Sequence, residues 1–580
     1  MIKTLAVYAK AHLKYIIIAP ILMIGDVLCE MLMPLLMSRI VDVGIANSDV
    51  GYTLRIGGLM VVLALMAITL GVLNMFCSTR ASIGFGAQLR SALFKKIQEF
   101  SFANIDKFNV ASLVTRTTND VNALQGTVLM ALRMMIRAPF MLIIALTLAF
   151  SINAKLSLIL CIALPILACA IWFIISKAGK MFTQMQQKVD ALNGSVQENL
   201  LAIRVVKAFV RQTQEKQKFK NANDSLMRAT IRAASLGVLM QPVMALIMNS
   251  AVIAVLWFGG HMVGEGHMAS GQLISFISYI TQTLMSLMMF SMMFMNISRA
   301  KASGARVIEV LSETVDVDDS ADALPIPAQD IAGSVEFKNV SFKYNADSDA
   351  FVLKDIAFNV KPGEIVAIVG ATGSAKTTLI NLIPRLYDVT QGAIYVGGKD
   401  VRDYQLHDLR EAVGVVPQNN NLFTGSVREN MLWGDKNATE EQIMEAAKHA
   451  RAHEFIMAMP QGYDTELSQG GVNVSGGQKQ RLCIARALIK KPKILILDDS
   501  MSAVDTGTEI EIRKALRENY KNTTIILIAQ RITSIADADK IIILDDGMIA
   551  GMGTHEQLLE TSAIYQDIVH SQIGGEALAS

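Results

Sequence analysis

The chain has 580 residues, of which 52% are hydrophobic and only 18% charged, with a mean hydropathy of +0.39. Its length exceeds one ordinary domain, its apolarity excludes a wholly soluble chain, and a net charge of +2 gives no basis for a nucleic-acid partner. The five cysteines, Cys29, Cys77, Cys161, Cys169 and Cys483, lack metal-ligand spacing and read as free buried thiols outside any disulfide framework.

Six apolar runs of roughly 20 residues can each span a bilayer. They lie near Tyr15–Met37, Ile56–Phe76, Met134–Ile152, Leu156–Ile175, Val238–Met262 and Leu273–Asn296. The first is too long, and too interrupted by Asp26 and Glu30, for a cleaved signal. Those two acids stand four residues apart, on one helix face. A charge at the bilayer centre costs roughly 2.5–3.5 kcal/mol, so both are expected to face the bundle interior or water. Two roles are open: a site for cationic cargo or a proton, or a structural one, as a pair held by an arginine or backbone groups of a neighbouring span or as acids placed near the outer cavity.

The loops after the second and fourth runs are long and basic. They carry Arg80, Arg90, Lys95, Lys96, Lys107 and Arg116, then Lys177, Lys180, Lys188, Arg204, Lys207 and Arg211. Basic loops stay on the cytoplasmic side, which places both termini there. Their amphipathic pattern predicts helices continuing well past the bilayer. The last run holds Met285, Met288, Met289, Met292, Met293 and Met295, which suit a re-packable ligand surface or a plain core. Gly71, Pro34, Pro139, Pro165 and Pro242 are expected to bend or relax spans.

Residues 1–311 therefore read as a membrane domain and 312–333 as an acidic, proline-punctuated linker containing "SETVDVDDSADALPIPAQD". From 334 to 580 short β-branched runs alternate with helical segments, the pattern of an α/β domain. The predicted fold is thus an α-helical membrane domain of six spans with long cytoplasmic extensions, followed by an α/β domain in which the loop "GATGSAKTT" after a buried strand marks a P-loop nucleotide-binding domain.

The stretch "GATGSAKTT", Gly370 to Thr378, follows the buried-strand candidate "EIVAIVG" and opens a helix, the context of a phosphate-binding loop. Backbone N–H groups of Gly370, Ala371, Thr372, Gly373, Ser374 and Ala375 would face the phosphates of ATP. Lys376 adds a point charge, and the Thr377 hydroxyl, followed by Thr378, can ligate Mg²⁺. The loop's second glycine is here Ala375; with a negative φ its methyl costs little, with a positive φ about 1 kcal/mol. A second strand, "KILILDD", ends in Asp498 and Asp499, putting a carboxylate at the sheet edge within reach of the metal.

The run "VSGGQKQRLCIARAL" (Val474–Leu488) resembles the signature helix of ATP-binding cassette proteins. "VPQ" ending at Gln418 is similar to their glutamine loop, "SAVD" (Ser502–Asp505) to their D-loop, and Tyr344 to the aromatic that stacks on adenine. In the membrane half, Asn104–Val121 and Glu198–Gln212 resemble the cytoplasmic loops that dock on the cassettes of exporters. The resemblance implies a half-transporter that works as a dimer. Each ATP and Mg²⁺ then lies between one phosphate loop, with Thr377, Gln418 and Asp498 on the metal, and the other chain's Ser475, Gly476, Gly477, Gln478 and Asp505.

Two departures accompany Ala375. Asp499 stands where the family has a catalytic glutamate, one methylene shorter, and Gln530 replaces the switch histidine, so no imidazolium charge is available there. The expectation is a site that binds ATP and hydrolyses it poorly. A partner half-transporter with intact glutamate and histidine would be completed by this chain's signature, and small-molecule cargo would cross the lipid bilayer. A membrane-bound ATP-sensing regulator and a slow self-sufficient homodimer are the alternatives.

Overall fold

The computed structural model describes residues 2–345, 348–529 and 531–579, with the side chains at 2, 290–296, 298 and 573–579 outside the description. The chain divides into two compact units: 1–98 with 111–313, and 99–110 with 314–580.

The first unit is helical. Leu13–Arg39, Val50–Glu99, Val121–Ile152, Ala154–Leu201, Gln212–Gly264 and Ser270–Ser312 are its long helices. At 1.5 Å per residue, the 50 residues of Val50–Glu99 reach about 75 Å, against about 30 Å of hydrocarbon. Where the sequence predicts six spans, five helical stretches among the described residues are long and apolar enough to cross a membrane: Lys3–Ile45, Val50–Glu99, Val110–Ile152, Ala154–Leu201 and Gln212–Gly264. The sixth run falls inside helix Ser270–Ser312, with much of its apolar side-chain surface outside the description. Pro34, Pro139, Pro165 and Pro242 all sit inside helices, as membrane helices permit.

Met31, Met141, Leu160, Phe276, Tyr279 and Ile280 form the centre of this unit's core. Buried polar groups are paired across helices: the Tyr279 hydroxyl donates to the Met31 carbonyl at 2.8 Å, and Ser303 donates to Asp120 at 2.8 Å. Arg306 also holds Asp120, and Arg116 pairs with Glu309 at 2.7 Å. A partner of this kind is what a buried polar group such as the Tyr279 hydroxyl or the Asp120 carboxylate needs once it is removed from water. Contrary to the expectation of uniformly buried thiols, Cys29, Cys77 and Cys483 are buried while Cys161 and Cys169 are exposed on helix Ala154–Leu201. Cys161 and Cys169 are eight residues apart, a spacing that repeats one helix face.

The second unit is built on a six-stranded sheet. Its order is 548–553, 540–545, 365–369, 524–528, 494–498, 413–416, parallel throughout except for the antiparallel first strand. A separate antiparallel sheet pairs Val335–Phe342 with Leu353–Val360 and Gln391–Val396. The central strands read as unbroken Ile, Leu and Val because both faces are covered, each by its own core cluster. The acidic segment after Ser312 lies along this unit: Leu324 bridges to Tyr404, and Asp319 accepts from the Leu406 N–H at 2.7 Å.

The short helix Phe102–Phe108, which the sequence places in the first cytoplasmic loop, is grouped with the second unit. A capping box between Ser101 and Asn104 starts it, and Asn104 donates to the Thr314 carbonyl at 2.9 Å. The turn of the second loop, Ile203–Ala208, belongs to the first unit, with Leu201, Phe209 and Val210 exposed around it.

Candidate nucleotide site

Strand Ile365–Val369 runs directly into the glycine loop, and helix Lys376–Asn381 leaves it. Gly370 has φ +155°, and a Cβ there would sit 2.1 Å from the Leu544 carbonyl oxygen, so no other residue fits. Ala375 caps the helix with φ +69° and ψ +24°. The left-handed outcome is therefore the real one, and the alanine methyl costs about 1 kcal/mol relative to glycine. Ala375→Gly should raise the melting temperature of the cassette by about 2–4 °C, read by nucleotide-free calorimetry. An unchanged or lower transition would show that the loop carries no such strain.

The Lys376 ammonium donates to the carbonyls of Gly370 at 2.9 Å and Ala371 at 2.8 Å, and to the Ser374 hydroxyl at 3.2 Å. Burial lowers its pKa, opposed by the charges of Asp498 and Asp499. Strand Ile494–Asp498 is separated from the loop strand by Thr524–Ile528 alone, with Ile528 in register with both Ile368 and Asp498. That neighbourhood brings the Thr377 hydroxyl to 3.0 Å from Asp498 Oδ2, to which it donates. Asp498 is buried, and burial raises its pKa, with Asp499 pushing the same way and the Thr377 hydrogen bond and Lys376 opposing. Two adjacent hard oxygens, with Gln418 on the same cavity wall, fit Mg²⁺, which takes few protein ligands and completes its shell from phosphate and water.

Asp499 follows in a left-handed turn, φ +47°, with its N–H donating to the Ile528 carbonyl at 3.0 Å. Its carbonyl accepts from the Ser502 hydroxyl at 3.0 Å. Gln530 lies outside the described residues. Gly370, Ala371, Thr372, Gly373, Ala375, Lys376, Thr377, Thr378, Gln418, Asp498 and Asp499 all line one cavity of about 580 Å³. Ser374 borders it through its bond to Lys376. Sequence reasoning missed Ile564, Ile568 and Gln572 of helix Ala563–Ala579, which close one side. Only their distance along the chain hid them.

Tyr344 is half-exposed, off the lining of that cavity, and its hydroxyl lies 2.8 Å from that of Thr378. Its ring meets Tyr387 edge-on, centroids 5.2 Å apart. The Tyr387 hydroxyl in turn donates to Asp106 of helix Phe102–Phe108 at 2.8 Å, and burial together with that carboxylate drives its pKa upward. A charge-assisted bond of this kind contributes about 1.5–3 kcal/mol. Tyr387→Phe should therefore speed hydrogen exchange across 99–110 by at least about tenfold. Unaltered exchange there would mean that apolar packing alone holds the helix.

The signature residues stand apart. Ser475 caps helix Gly476–Ile489, accepting from the Gln478 N–H while its own N–H donates to the Gln478 side chain at 2.9 Å. Asp505 caps Thr506–Asn519 by accepting from the Thr508 N–H at 2.9 Å. Buried Gln480, which the sequence reading passed over, ties the two segments by accepting from Ala503 N–H at 2.9 Å and donating to Ser502 at 3.3 Å. Ser475, Gly476, Gly477, Gln478 and Asp505 are absent from the lining of the cavity that holds Lys376. In the membrane unit, Asp26 and Glu30 are both held by Arg137 of helix Val121–Ile152, the Asp26 contact at 2.7 Å. The structural role is the one of the two that has a partner in place.

Residues 16–287 match the family model of the ABC transporter transmembrane region, and residues 353–502 that of the ABC transporter. An uncharacterised ABC transporter ATP-binding protein of Bacillus subtilis is 41% identical over 97% of each chain. An ATP-dependent lipid A-core flippase of Syntrophus aciditrophicus is 36% identical over 83% of this chain and 79% of its own. A bacterial Atm1-family ABC exporter solved with ATP bound superposes with a TM-score of 0.81 at 26% identity, covering 96% of this chain and 99% of that one.

Proposed function

Because the chain belongs to the ABC transporter family, as an exporter of the bacterial plasma membrane with several membrane-crossing helices ahead of its ATPase, we propose that it is the degenerate-site half of a heterodimeric pump. The pump moves hydrophobic or amphipathic compounds out of the cytoplasm. The observation that carries the reading is a mismatch inside one cavity. The Thr377–Asp498 pair is intact, while the next residue is Asp499 and the loop's second glycine is a strained alanine.

In this reading Tyr344 would stack on adenine, Lys376 and the loop N–H groups would bind the phosphates, and Thr377, Asp498 and Gln418 would hold Mg²⁺, which would supply positive charge to offset that of the phosphates. Asp499 must then take a proton from, or orient, the attacking water. Its carboxylate falls about one methylene short, and a misplacement near an ångström costs about 10²-fold. General-base help itself is worth roughly 10²–10⁴. Gln530 can hydrogen-bond a phosphate but brings no charge. The site grips nucleotide and turns it over slowly.

Ser475 and the N–H groups of Gly476 and Gly477 stand at a helix start away from the chain's own cavity, which suits them to a γ-phosphate held by a second chain. That second chain supplies the catalytic glutamate and switch histidine. Closure of the two cassettes is passed to the membrane helices through the cytoplasmic loops as a rigid-body movement.

The test is ATP turnover by the purified chain, alone and with a half-transporter whose metal-binding strand ends in Asp-Glu. The chain alone should bind ATP and hydrolyse it at no more than about 1% of the pair's rate. Brisk hydrolysis alone, abolished by Asp499→Asn, would point to a self-sufficient homodimer. ATP binding without cargo uptake into vesicles by the pair would point to a regulator.

A further inference from the structure

Arg137 is not the only arginine on its face of helix Val121–Ile152. Arg133, one turn earlier, is half-buried, and among the described residues no carboxylate pairs with it. Arg133 stands at the cytoplasmic edge of the Met134–Ile152 run, where an arginine reaches water or an anionic head group, and a half-buried one on a cavity wall offers its charge to whatever enters.

Arg133 and Arg137 both line a cavity of about 490 Å³. The rest of its wall is apolar and soft: Met23, Leu129, Met130, Met134 and Met289. Its volume is that of a small-molecule pocket. Asp26 and Glu30 are not among its lining residues, and the Arg137 guanidinium pairs with both of them. The wall thus offers the Arg133 guanidinium and thioethers, while the charge of Arg137 is taken up by its two carboxylates. A cationic cargo would meet like charge, while methionines accept apolar bodies of varied shape.

We infer that this cavity binds an amphipathic anion, its carboxylate, sulfonate or phosphate on Arg133 and its apolar body among the methionines. The inference rests on the exporter reading and names its cargo class. The guanidinium fork offers paired N–H donors to such a head group, and Arg137 keeps its own carboxylates. The shared chemistry has two sources, an anionic phospholipid of the inner leaflet or a free amphiphile.

The full-length chain in phosphatidylcholine nanodiscs is titrated with dansyl-labelled undecanoic acid and with its methyl ester. The acid should bind at least about tenfold tighter than the ester. Arg133→Gln should remove that preference, and Arg133→Lys should keep most of it. Phosphatidylglycerol in the disc that displaces the acid assigns the site to lipid; no displacement assigns it to free amphiphiles, and either supports the site. Equal binding of acid and ester by the unaltered chain, or an unchanged preference in Arg133→Gln, overturns the inference. Neither ATP turnover nor a partner chain enters this measurement, so its failure leaves the asymmetry of the nucleotide sites standing.

Discussion

If this chain is the degenerate half of a pair, as proposed, Ser475→Ala in it should lower the pair's ATP turnover by about 10²-fold, while Asp499→Asn should change it by no more than about twofold. The two substitutions fall on opposite sides of the cassette's chemistry. Ser475 holds no place in the cavity that contains Lys376, and its hydroxyl stands at the start of a 14-residue helix. Removing a donor aimed at charge that develops in a transition state typically costs 10²–10³-fold. Loss of the cap alone costs the helix about 1 kcal/mol, a shift in melting temperature of a few degrees, so the two effects separate by experiment. On the proposed reading Asp499 belongs to the slow site, and its removal has little left to slow. The opposite ranking, with Asp499→Asn silencing the pair and Ser475→Ala harmless, would place hydrolysis on this chain's own phosphate loop.

Arg137→Gln should destabilise the membrane unit by about 2–3 kcal/mol, because it leaves Asp26 and Glu30 facing each other one helical turn apart with no counter-charge. The figure is taken below the range for fully buried pairs, since the Glu30 side chain is 36% exposed and solvent screens part of the repulsion. Replacing all three together, Asp26→Asn, Glu30→Gln and Arg137→Gln, should restore most of the loss, as neutral isosteres can still hydrogen-bond. Thermal unfolding of the full chain in nanodiscs measures both. A triple variant no more stable than Arg137→Gln would mean the arginine acts through packing rather than charge.

The phosphate loop was legible because its chemistry is local. Thr377 and Asp498 were expected on one metal and lie 3.0 Å apart, since strand, loop and helix follow each other in the pattern and a strand-end carboxylate has few places to go. The sign of φ at Ala375 was not legible. A torsion at a strand-to-helix turn is set by how the helix must leave the sheet, and the local sequence allows either sign. Distant partners that no motif marks could not be identified. Arg137 lies 111 residues from Asp26, and Tyr387 lies 281 from Asp106, so only the folded chain introduces them. Exposure inside apolar runs escaped for a similar reason. Cys161 and Cys169 share hydropathy with their buried neighbours, and which helix face turns inward depends on the packed partner.

Tyr387 touches the ring of Tyr344 on one side and the carboxylate of Asp106 on the other. Equilibrium linkage makes any such tie symmetric: the factor by which nucleotide tightens the grip on helix Phe102–Phe108 equals the factor by which that grip tightens nucleotide. A peptide or antibody fragment that prises the helix away would, through any such tie, weaken ATP binding at equilibrium by that same factor, without approaching the phosphates at all.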